Sequence, residues 1–293
     1  MRPLIPSDMS SLASSLTSGY SLEVSVKAIP ALITATPRIA PGTSIFIPYL
    51  AGEDNAARLA ATTTVRGLGF EPVVHVPARR IASLEALESF LTRAANDAGI
   101  ERCFVIAGDS PSPKGRFADS VSLIETGVFE RSGIKHIGVG GHPEGHPVMS
   151  EAIRWQVLAR KCHSIQIRGM SPLIVTQFSF DAELVLRWLQ ELRQRGIHHP
   201  VRVGVPGPAS VATLARYAAM CGVSASASVW SRYGVSIGRL LAAPGPDGFV
   251  DRLANGLTEA HGDVSLHFFP FGGIAQTVEW MEVYRARGHS SPA

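Results

Sequence analysis

The chain has 293 residues, is 45% hydrophobic and carries a formal charge of +3, so it can bury a large core and build either one barrel or two ordinary domains. Its Lys and Arg are scattered, with no basic run and no interleaved aromatics, which argues against a nucleic-acid surface. Cys103, Cys162 and Cys221 are odd in number and far apart, a pattern of buried, reduced thiols rather than of a disulfide framework or a zinc ribbon.

The stretch MRPLIPSDMSSLASSLTSGY lacks the unbroken apolar core of a signal peptide, and nowhere do about eighteen apolar residues run together. A soluble, cytoplasmic protein with no membrane partner is expected. Strand-like runs then follow in order: SLEVSV from Ser21, SIFIPY from Ser44, EPVVHV from Glu71, ERCFVIAG from Glu101 and HIGVGG from His136. PLIVTQF from Pro172, VRVGVPG from Val201 and VSLHFFPF from Val264 complete the set. They are short, nearly continuous in Val, Ile and Phe, and separated by helical patterns, as expected of strands buried on both faces of a parallel sheet. Helices are predicted over Asp54 to Leu68, Ser83 to Ala98, Ala182 to Arg195, Ser210 to Cys221 and Ile274 to Arg287, with caps and acids at Ser83, Glu85, Asp181 and Glu183. The Ser-, Gly- and Pro-rich stretch from Gly222 to Phe249 reads as a loop with a short helix.

Eight such units predict an α/β fold, a single-domain (β/α)₈ TIM barrel over residues 21–288, with an extension at 1–20 and a tail at 289–293. No internal repeat or dividing linker interrupts it, no regulatory domain is expected, and apolar outer helices permit a homo-oligomer. In this fold the functional residues gather at the C-terminal ends of the strands. The candidates there are Glu23, Tyr49, His75, Asp109, His142, Glu144, His146 and Gln177. Glu23 stands inside apolar sequence, where desolvation raises a carboxyl pKa toward neutrality and suits it to general acid chemistry; the alternative is an exposed residue on an irregular strand. His75 is equally readable as a satisfied core histidine, and Gln177 as an amide bridging strand ends. The loop HPEGHP offers two His and a Glu that could hold a metal, but Pro143, Gly145 and Pro147 break the helix such a pair needs, so no metal is expected.

Beyond these readings, the chain resembles the methylenetetrahydrofolate reductase family. The residues carrying the resemblance are SLEVS at 21–25, HV at 75–76, AGD at 107–109, GGHPEGHP at 140–147, LARK at 158–161, TQFSFD at 176–181 and HFF at 267–269. The resemblance implies a flavoprotein that moves hydride between FAD and a one-carbon folate, with NADH or NADPH as electron partner. It makes Glu23 the acid that protonates the substrate's ring nitrogen and opens the methylene bridge to an iminium ion. Asp109 then stands beside flavin and pterin as the second catalytic residue, and Gln177 hydrogen-bonds the pterin. Tyr49, His75, Ile106, Ala107, Gly108, Asp109, Ala118, Gly140, His142, His146 and the basic pair Arg160 and Lys161 are implied to hold FAD.

Departures from the family pattern are specific. Ala107 stands where many members have Arg, and EAIRWQVLARK puts Arg154 and Val157 near the places of an Asp and an Asn that hold cofactor hydroxyls. HFFPFGG puts Gly273 in place of the arginine that binds the folate glutamate tail, and Val211 replaces a stacking Phe. The tail is then held by another cation such as Arg232 or Arg239, or left in solvent, or the substrate is a differently decorated pterin. Weaker use of NADH or NADPH follows, with the methyl-oxidising direction and another acceptor open. Two other readings stand beside this one, a metal-dependent barrel lyase using His142, Glu144 and His146, and a noncatalytic folate-binding subunit.

Overall fold

The structure is a computed structural model and describes residues 16–223 and 245–288. The eight strands expected from the sequence are all present and follow one another in chain order around a closed parallel barrel. They are β1 (Ser21–Glu23), β2 (Ser44–Ile47), β3 (Glu71–Pro77), β4 (Arg102–Ile106), β5 (His136–Gly141), β6 (Ser171–Phe178), β7 (Val201–Pro206) and β8 (Val264–Phe269). Strands end early where the backbone requires it. Pro48 has no N–H to continue β2, and after β4 the chain turns at Gly108, whose φ is 90°. SLEVSV yields only Ser21–Glu23 because Val26–Ala28 winds into a 3₁₀ turn and then into α1 (Ile29–Ala35), a helix the sequence pattern did not reveal.

The predicted helices appear within a residue or so of their expected limits, because their caps are written locally. Asp54 accepts from Ala57 N at 2.7 Å and starts α2 (Asn55–Gly67). Ser83 accepts from Ala86 N at 3.2 Å and starts α3 (Leu84–Ala98), which Gly99 ends in a left-handed conformation. Asp119 and Ser150 cap α4 (Ser120–Ile124) and α6 (Glu151–Gln166), on either side of the short α5 (Val128–Arg131). Asp181 accepts from Glu183 N and Leu184 N at the start of α7 (Ala182–Gln194), and Ser210 caps α8 (Val211–Cys221). Helices α9 (Asp247–Gly256) and α10 (Ile274–Gly288) complete the set. Most of the stretch from Gly222 to Phe249, with Arg232 and Arg239, lies outside the described residues, as do most of the extension at 1–20 and the tail at 289–293.

The described residues form two compact units. In the unit of residues 22–141 and 150–175, the registers Val74↔Cys103, His75↔Phe104 and Phe104↔Gly138 set alternate side chains of neighbouring strands in rows. Phe46, Val73 and Val175 form a buried cluster against which Phe104 and Leu173 pack. Gly138 makes room for this row, since a Cβ there would lie 2.8 Å from Phe104 Cδ2. In the unit of residues 16–21, 142–149, 176–223 and 245–288, β7 and β8 pair over their whole length from Val201↔Val264 to Pro206↔Phe269. Gly204 is equally constrained, its missing Cβ lying 2.5 Å from Thr176 O.

Gly138→Ala is expected to push the Phe104 ring off its rotamer and to destabilise the protein by about 1–3 kcal/mol, the usual cost of overpacking. Urea unfolding measures this, and Phe104→Leu in the same chain should recover part of the loss.

Candidate functional site

In the first unit the strand ends carry Glu23, Tyr49, His75 and Asp109. Glu23 closes β1, and Val24 N donates to Phe46 O at 2.8 Å, so the carboxyl is delivered beside β2. Its side chain keeps 25% exposure and approaches His75 Nε2 at 3.7 Å through Oε2. Burial raises its pKa above the ordinary carboxylate value, and His75 offsets part of that rise. Glu23 thus holds its proton more firmly than an exposed glutamate does.

His75 is both things the sequence allowed. It is buried, with its ring edge-on to Phe104 at 4.8 Å and to Phe46 at 6.0 Å, and it also faces the acid. Its carbonyl accepts from Arg58 Nη2 at 2.5 Å. Arg58 is itself buried, its guanidinium 4.1 Å from the Tyr49 ring centroid and 4.6 Å from that of Phe90. Burial lowers its pKa to about 10, still far above neutrality, so a full positive charge sits behind the β2 and β3 ends. Sequence reading passed over Arg58, although the signal was there. It stands four residues before Thr62 and seven before Val65, on the buried face of α2.

Asp109 is exposed, in the turn after β4, and its Oδ1 accepts from Arg80 Nη2 at 2.8 Å. Ile106 and Gly108 are half-buried and Ala107 is exposed. Ala118 is exposed immediately before the Asp119 cap.

Arg160 and Lys161 do not act as a pair. Neighbours on a helix point about 100° apart, and here they diverge fully. Arg160 is exposed and gripped by Glu125 through Nε at 3.0 Å and Nη2 at 2.9 Å. Lys161 is buried, its pKa lowered by that burial, and its ammonium makes no hydrogen bond or ion pair among the described residues. Asp119 offsets part of that burial, and a buried cation so incompletely matched is costly unless a ligand supplies more negative charge.

In the second unit the HPEGHP loop is a hydrogen-bonded turn. Glu144 Oε1 accepts from Ser179 Oγ at 2.6 Å and from Phe180 N at 3.4 Å, which fastens the loop to the end of β6. His146 Nδ1 accepts from Val148 N at 3.3 Å, and the His142 and His146 rings meet edge to face at 4.9 Å. Gly140 is half-buried at the end of β5, ahead of this loop. Among the described residues no group of three His, Cys, Asp or Glu side chains could hold a metal ion. Gln177 is half-buried, and its Oε1 accepts from Phe178 N at 3.1 Å, which leaves the amide NH₂ as the donor end. Phe178, next in the chain, meets Phe269 and Phe271 edge to face, and Phe271 stacks on Tyr217 at 4.0 Å, an aromatic wall that the HFFPFGG motif did not announce.

His267 lies below this wall, buried, its Nδ1 2.8 Å from Ser21 Oγ. Burial, helped by Arg202, pushes its pKa down to about 3. A histidine kept neutral in the fold costs stability as the medium acidifies, because the unfolded chain takes up a proton that the folded chain refuses. Stability is therefore expected to fall as pH drops from about 6.5 toward about 3, by up to ~1.4 kcal/mol per unit. His267→Gln should flatten that slope in urea unfolding between about pH 7 and about pH 5; equal slopes would show that the folded chain accepts the proton.

No helix among the described residues is long and apolar enough to cross a membrane. The family profile described as methylenetetrahydrofolate reductase matches residues 27–236, a span that starts after Glu23 and ends before β8. Similar solved structures include the dihydropteroate synthase (FolP) of Thermus thermophilus, at 15% identity over 91% of this chain and 93% of that one, with a TM-score of 0.49. The 3-dehydroquinate dehydratase of Aquifex aeolicus is 10% identical over 93% and 99%, with a TM-score of 0.48. A Yersinia pestis DHPS with a pterine-sulfa conjugate is 14% identical over 92% and 94%, with a TM-score of 0.45. Likeness of this degree carries no argument about substrate.

Proposed function

Because the chain belongs to the methylenetetrahydrofolate reductase family, we propose that this barrel is an FAD-dependent enzyme that interconverts methylenetetrahydrofolate and methyltetrahydrofolate. The observation that carries the reading is Glu23, a carboxyl whose pKa is raised by burial at the end of β1, facing His75. A carboxyl whose pKa is raised by burial gives up its proton later than an ordinary glutamate and can pass it to the substrate's ring nitrogen. The methylene bridge then opens to an iminium ion, and in the reverse direction the same carboxylate takes the proton back. Asp109 supplies negative charge that stabilises the cationic iminium.

The residues fit the cofactor. Lys161 is a buried cation that Asp119 offsets only in part, and a diphosphate would supply further negative charge. Arg160 would reach a phosphate only by leaving Glu125, so the phosphates rest on Lys161. Tyr49, His75, residues 106–109, Ala118 and Gly140, all in the first unit, line the cofactor in this reading. Flavin, when bound, would supply the hydride chemistry, giving hydride in its reduced form and accepting it in its oxidised form. Val211 at the start of α8 offers no ring to a nicotinamide, which supports weak use of NADH or NADPH and oxidation of the methyl group with another acceptor. The metal-dependent lyase is set aside, since the Glu144 carboxylate already accepts from Ser179 and Phe180.

Purified protein is expected to take up FAD and show flavin absorption that bleaches when methyltetrahydrofolate is added without oxygen. Failure to take up FAD would overturn the reading. Glu23→Gln should bind FAD normally and lose about 10²–10⁴ in turnover, the worth of a general acid; wild-type turnover in this variant removes the role from Glu23. Anaerobic NADH should bleach the flavin slowly, and rapid bleaching would contradict the weak nicotinamide site.

A further inference from the structure

Asp109 is not a lone charge. Its partner Arg80 is the buried member of the pair, with side-chain exposure of 11% against 84% for Asp109, and the bond between them is 2.8 Å long. The arginine is fixed from both sides. Arg79 N donates to Ala107 O at 2.9 Å, and Lys114 N donates to Arg79 O at 2.8 Å, so the turn Ala78–Arg80 after β3 is stitched to the chain before and after Asp109. Gly108 closes against Pro77, where a Cβ would stand 2.8 Å from Pro77 Cβ. The Arg80 guanidinium lies 5.9 Å from the Tyr49 ring centroid, and Arg58 lies 4.1 Å from the same centroid. A single rigid corner therefore fixes where the arginine stands and which carboxylate it serves.

We propose that Arg80 is a positioning residue for the reaction. It holds Asp109 as a charge-compensated carboxylate and thereby sets how strongly the site opposes the negative charge that a flavin gains on reduction. This rests on the flavin reading above and deepens it. A bare carboxylate near a flavin ring disfavours the reduced cofactor, and a cation on that carboxylate offsets the effect. Both contributions grow when ligands cover the corner and lower the local dielectric. The compensated carboxylate still presents an oxygen to positive charge developing on the substrate. Lysine would keep the charge at position 80 but lose the planar fork that fixes direction.

The test is the midpoint potential of bound FAD, measured by anaerobic titration against a reference dye in wild type, R80A, R80K, D109N and the R80A/D109N double variant. R80A is expected to shift the potential to more negative values, and R80K to restore most of that shift. D109N should move it to more positive values, because the Arg80 charge is then unopposed, and R80A added to D109N should bring it back toward the wild-type value. R80A with bound FAD at the wild-type potential would overturn the proposal, as would a double variant that stays at the D109N potential. Wild-type protein that takes up no FAD would overturn the flavin reading and this one with it. That outcome is recognised before any substitution is made.

Discussion

A carboxyl group set among apolar side chains must be neutral or matched by positive charge, and the first half of the barrel is arranged around that demand at Glu23. The acid faces His75, the His75 ring is set edge-on by Phe46 and Phe104, and Phe104 has its place because Gly138 has no Cβ. Behind His75 the buried Arg58 pins the backbone carbonyl. A proton on Glu23 is thus governed by side chains from β2, β3 and β4 and from α2, none of them adjacent to it in sequence.

Positive charge in this structure is deployed in three ways. Arg58 is buried against aromatic faces and a carbonyl, Arg80 is committed to Asp109, and Lys161 is buried with its burial only partly offset by the charge of Asp119. The first arrangement is structural and the second is an ion pair at the turn after β4. The third is the kind that a bound anion completes. Arg160, adjacent to Lys161 in sequence, follows none of them, since it spends its charge on Glu125 at the surface.

Much of the fold was legible because its determinants are local. Asp54, Ser83, Asp181 and Ser210 announce their helices by capping chemistry, and apolar runs between them can only be buried strands. Helix α1 escaped because Ile29–Ala35 has Pro30 in its first turn and too short a pattern to show a period. The acid environment of Glu23 could be inferred from its apolar neighbours in sequence. Arg58 and Arg80 could not be placed so simply, because their partners His75, Tyr49 and Asp109 come from other segments. The different fates of Arg160 and Lys161 depend on which side of one helix Glu125 occupies, which pairwise motif reading does not see.

The cysteines follow the same partition between interior and surface. Burial raises the Cys103 and Cys162 thiols, the latter to about 12, so neither forms thiolate at neutral pH. Cys221, half-buried at the end of α8, precedes Gly222, whose Cβ position lies 3.0 Å from Pro147 of the HPEGHP loop. Alkylating reagents therefore meet two inert sulfurs and one that borders the loop, so a fluorophore attached there would sense its surroundings from a neighbouring helix end.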